Sequence, residues 1–99
     1  MFVSKDKKRS IMPFNLKNTC YICHAQCKTQ EHHIFDDIKL CDHYGLYVDV
    51  CNVCNRALHR EPQHFEWLKE QGQMTAMTYF KLTLADWIEK FKVNYMRSD

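Results

Sequence analysis

Glycine and proline are scarce, with two of each among 99 residues, and this excludes a flexible linker or a low-complexity chain. Long apolar runs are absent as well. None approaches the roughly 18 residues that cross a bilayer as a helix, so no membrane partner is expected. The opening stretch, Met1-Phe2-Val3-Ser4-Lys5, has no apolar core of the secretory kind, and the expected compartment is the cytoplasm. Neither charge sign dominates: 14 Lys and Arg stand against 12 Asp and Glu, a net charge of +2 that neither demands nor excludes nucleic acid. The balance is uneven along the chain, however. Lys5, Lys7, Lys8, Arg9 and Lys17 precede the first cysteine with one acid, Asp6, among them. Such an arm is a solvated terminus or a phosphate-seeking one.

Cysteine is plentiful instead. A chain of this length buries a small core and often needs a staple. In a cytoplasmic setting six cysteines with paired Cys-x-x-Cys spacing indicate metal or redox chemistry rather than disulfides. Cys20-Tyr21-Ile22-Cys23 and Cys51-Asn52-Val53-Cys54 are separated by 27 residues. Zn²⁺ takes four soft thiolates tetrahedrally, so these pairs predict one structural zinc on Cys20, Cys23, Cys51 and Cys54. Two matched pairs weigh against a redox motif. A zinc of this type contributes roughly 10 kcal/mol or more to folding in small peptides. Cys27 and Cys41 are expected to be buried free thiols, and His24 a surface residue.

The pattern divides into a basic arm (1–19), a zinc-bound unit (20–61) and a helical support (62–99) of the same domain. Residues 10–14 should anchor the arm through apolar contacts. Residues 32–35 read as a short strand and 36–45 as a connection. Residues 46–50 alternate, with Leu46, Val48 and Val50 on one face and Tyr47 and Asp49 on the other, which predicts a half-buried strand paired to the first. A helix is expected from about Asn52 to Arg60. Pro62 marks the next boundary, followed by a helix ending near Gly72 and a further short one over 74–81. Thr83 and Asp86 form a capping signal before Leu84, Trp87, Ile88 and Phe91, an apolar stripe at helical spacing. The fold class is therefore α+β: a small zinc-bound ββα unit with a helical C-terminal half.

Closing that unit with zinc brings His32 and His33 of the first strand near Asn55 and His59, which share one helix face. Arg56 and Arg60 follow on the same helix, where they can meet phosphate. The order Cys-x-x-Cys, His-His, strand, Cys-x-x-Cys-Asn, then His four residues on resembles the HNH (ββα-metal) endonucleases. The likeness is closest to small HNH proteins of phages and prophages, and runs from residue 9 to about 96. It implies a metal-dependent DNA endonuclease or nickase. His33 would be the general base, His32 and Asn55 ligands of a catalytic Mg²⁺ or Mn²⁺, and His59 a contact to that metal or to the scissile phosphate. The family's central asparagine has no counterpart near Leu46 and Tyr47. A Gly-rich, Arg-containing turn is replaced by Asp36-Asp37-Ile38-Lys39. An inactive HNH scaffold that binds and blocks a host protein through residues 36–44 is the alternative, and a zinc-dependent DNA-binding module a weaker third.

Overall fold

The structure, a computed structural model, describes residues 8–96. Lys5, Asp6 and Lys7 of the basic arm lie outside the described residues. The chain forms a small mixed α+β fold: β1 (Gln30–His33), α1 (Ile38–Tyr44), β2 (Tyr47–Val50), α2 (Asn52–Arg60), a 3₁₀ turn (Pro62–Phe65), α3 (Glu66–Tyr79) and α4 (Leu84–Phe91). β1 and β2 pair antiparallel, with His32 opposite Val48 and His33 opposite Tyr47.

Three expectations need correction. The first strand ends at His33 rather than running to Phe35, because Ile34 and Phe35 turn inward to fill the core. Residues 36–45 are not a plain connection; they contain α1. Asp37 caps it by accepting from the Leu40 N–H (3.1 Å), and Gly45 ends it in the left-handed region at φ 71°. A side chain at Gly45 would also collide with the Arg9 carbonyl, so chain direction and close packing both demand glycine there. Finally, Gly72 does not end a helix. α3 runs through it, since a Cβ at Gly72 would lie 3.0 Å from the Phe35 ring and 3.1 Å from Ile34 Cγ2. The missing side chain lets α3 settle directly on that pair.

β2 is covered on both faces. Leu46, Val48 and Val50 are fully buried as the alternation requires, but Tyr47 is only 8% exposed. The N-terminal segment lies over it: Tyr47 donates its hydroxyl to the Lys8 carbonyl (2.7 Å), and Ser10 Oγ donates to the Tyr47 carbonyl (2.6 Å). Met12 is the buried anchor of that segment, whereas Phe14 is 87% exposed.

The helical half centres on aromatic rings. Trp87 stacks on Phe91 at 3.8 Å, and the Phe35 ring lies 5.3 Å from Trp87, 5.5 Å from Phe91 and 5.0 Å from Tyr95. Thr83 and Asp86 form the expected reciprocal capping box at the start of α4. Of the α4 stripe only Trp87 and Phe91 are buried; Leu84 and Ile88 remain partly exposed. Gln73, fully buried, donates to Asn94 Oδ1 (2.8 Å) and accepts from the Tyr95 N–H (2.6 Å), which ties the chain end to α3. None of the helices formed by the described residues is long and apolar enough to cross a membrane.

Candidate metal centre and the adjoining histidine cleft

Cys20 and Cys23 sit on a tight turn closed by the His24 N–H donating to the Cys20 carbonyl (2.9 Å), with His24 itself exposed and left-handed at φ 66°. The Cys23 N–H points at Cys20 Sγ (3.5 Å). The second knuckle repeats this geometry at the end of β2, where Cys51 is the N-cap of α2 and the Cys54 N–H points at its sulfur (3.4 Å). The Tyr21 N–H donates to the Asp49 carbonyl (2.8 Å) and binds the first knuckle to β2.

All four sulfurs lie within 4.8 Å of one another, with Cys23 Sγ and Cys51 Sγ 3.9 Å apart. A tetrahedral metal with bonds of roughly 2.3 Å to sulfur needs an edge of about 3.8 Å, so the cluster matches the size of such a site. It is the one group of three or more metal-ligating side chains that converges among the described residues. Its electrostatics also favour a cation. Burial pushes the Cys20 thiol up, but the N–H groups of Cys23, Cys51 and Ile22 directed at its sulfur outweigh this and bring it down to about 6. Cys54 moves upward, through burial first and then by sharing its proton with the other three sulfurs. Four packed sulfurs cannot all ionise without a counter-charge.

The other two cysteines stand apart from this group. Cys27 is half-buried, with its thiol against the Ala25 carbonyl (3.5 Å). Cys41 is fully buried in α1. It accepts from the Phe35 N–H and donates to the Phe35 carbonyl, both at 3.4 Å, and so pins α1 to the chain beyond β1.

Beside the centre lies a cavity of about 440 Å³ between β1, α2 and α3, whose wall includes His32, His33, Asn55 and His59. The imidazoles of His32 and His59 meet edge to face at 5.4 Å. Burial lowers the pKa of His32, and the neighbouring His59 and His33 lower it further; Asn55 works weakly in the opposite direction. Asn55 donates through Nδ2 to Gln30 Oε1 (2.9 Å), while its Oδ1 is buried beside His32 and makes no well-formed hydrogen bond among the described residues. Strand alternation separates the two adjacent histidines at their far ends: His33 Nε2 lies 2.9 Å from Asp42 Oδ1 on α1.

Arg56 and Arg60 are exposed on α2 and do not line the cavity. The basic residue that does is Lys69 of α3, which residue spacing did not single out. Asp36 and Glu31 also contribute to the wall. Comparison of the chain with protein-family models, with curated proteins and with solved structures finds no match.

Proposed function

We propose that the chain is a metal-dependent DNA endonuclease or nickase of HNH type, built around a structural Zn²⁺ on Cys20, Cys23, Cys51 and Cys54. One observation carries this reading: His32, His33, Asn55 and His59 share a single cavity beside the cysteine cluster. Their chemistry is apt. Burial favours the neutral form of the His32 imidazole, the form whose lone pair can bind a cation. Asn55 Oδ1 is a buried acceptor beside His32 with no well-formed hydrogen bond among the described residues. His32, His59 and Asn55 together offer nitrogen and oxygen donors suited to Mn²⁺ more than to Mg²⁺.

When bound there, the divalent cation supplies positive charge at the leaving oxygen of the phosphodiester. The chain's own groups do the rest. His33 takes the proton of the attacking water as its oxygen bonds to phosphorus and the phosphorus–oxygen bond to the leaving group breaks. Lys69 inside the cavity, with Arg56 and Arg60 outside it, meets neighbouring phosphates. Asp36 and Glu31 would repel a bare phosphate backbone, and a bound cation offsets them.

Zinc-loaded protein incubated with supercoiled plasmid and Mn²⁺ or Mg²⁺ should produce nicked circles, faster with Mn²⁺. His33→Ala should abolish nicking with zinc content unchanged. No nicking by zinc-loaded wild-type protein in either metal would overturn this reading and favour a scaffold that binds a host protein through the exposed residues 36–39.

A further inference from the structure

We propose that Asp42 is a positioning residue that fixes which ring nitrogen His33 presents to the cleft. The contact is short, 2.9 Å from His33 Nε2 to Asp42 Oδ1, and both side chains are mostly shielded, at 25% and 17% exposure. Water therefore competes weakly for either partner. An ionised carboxylate only accepts hydrogen bonds, so Nε2 must carry the proton in this pair. Asp42 is not part of the cavity wall, whereas His33 is. The nitrogen left without a hydrogen bond among the described residues is Nδ1, which then carries the lone pair.

The supporting structure is rigid. Asp42 follows Cys41, whose thiol is bonded in both directions to the Phe35 backbone. The Asp42 carbonyl accepts from the Lys8 N–H (2.8 Å), and the Cys41 carbonyl accepts from the Leu46 N–H (2.9 Å). Tyr47, opposite His33 in the sheet, places its ring 6.2 Å from the imidazole, tilted by 54°. The imidazole is thus held by α1 and β2 while its free nitrogen serves the cavity. A short helix that looks like filler between two strands has the geometry of an orienting arm.

This inference rests on the nuclease reading only for what the free nitrogen then does, so two readouts are needed. In ¹⁵N spectra of the zinc-loaded full chain, with His33→Gln used for assignment, His33 should show a slowly exchanging Nε2–H and a bare Nδ1. Asp42→Asn keeps the shape but can also donate, so part of the proton should move to Nδ1. In plasmid nicking, Asp42→Asn should lower kcat about 10–100-fold with KM, zinc content and melting temperature unchanged. A purely structural clasp would shift the melting temperature and leave kcat alone. A wild-type Nδ1–H on His33, or wild-type nicking by Asp42→Asn, overturns the proposal. Absence of nicking with the expected wild-type spectrum and the Asn shift would remove the nuclease reading and leave Asp42 as the group that orients His33.

Discussion

Residues 20–60 and residues 66–96 hold together by different forces. The first half has two strands of four residues and a cluster of sulfurs, with buried side chains drawn from several segments, among them Ile34, Leu46, Val48, Val50 and Leu58. A two-stranded sheet of that length is marginal by itself in water. The second half has no such cluster among its described residues and relies on stacked rings, a capping box and the buried Gln73. Phe35 joins them: it leaves the end of β1 and enters the ring cluster of the helical half. Its ring contacts, with those of Tyr44 to Phe80 and Phe91, couple the two halves.

The sharpest way to break this comparison is to remove the metal. A Cys54→Ser variant, or chelation of wild-type protein, should cost roughly 10 kcal/mol, comparable to the stability of a whole domain. Because Phe35 couples the halves, the fluorescence of buried Trp87 should change at the same chelator concentration that releases the metal. Unchanged Trp87 emission in metal-free protein would show that the helical half stands alone. The next effect is smaller and comes from the other side. Phe35→Ala should cost about 3–5 kcal/mol in urea unfolding, through lost burial and the cavity left under α3. The folded fraction should retain its metal; if it does not, ring packing also shapes the sulfur cluster.

The smallest effect sharpens the role of α1. Burial pushes the Cys41 thiol up to about 11, with nearby Asp37 and Asp42 adding to the rise against a hydrogen bond from the Phe35 backbone. The folded protein thus keeps a proton that the unfolded chain releases near its ordinary value of about 8.5. Stability from this group is complete below that value and declines as pH rises towards 11, by up to about 1.4 kcal/mol per pH unit. Cys41→Ala should be less stable near neutrality and show a shallower alkaline decline. Equal slopes for the two proteins, measured by urea unfolding from pH 8.5 to 10.5, would mean that the thiol meets water.

Much of this arrangement is readable from residues alone. Paired Cys-x-x-Cys motifs, the alternation from Leu46 to Val50 and the Thr83–Asp86 cap are local signals, and local signals survive packing. α1 was hidden because seven residues are too short for helical periodicity, although its Asp37 cap and Gly45 stop stand at the right places. Gly72 misleads for a different reason: its lack of a side chain serves a contact with Phe35, 37 positions away, and not a helix end. The four polar cavity residues could be grouped by topology. The Asp42–His33 contact and the entry of Lys69 into the wall could not, since both depend on how α1 and α3 are set against the sheet.

Cys51 closes β2, caps α2 and contributes a sulfur to the cluster, three duties on one atom or its neighbours. Asn55 is one helical turn beyond it and His59 two. With no ion on the cluster, that helix would lack a fixed starting point, and Asn55 and His59 would have no defined height above the strand. Metal availability would then set the shape of the cavity as well as the stability of the fold.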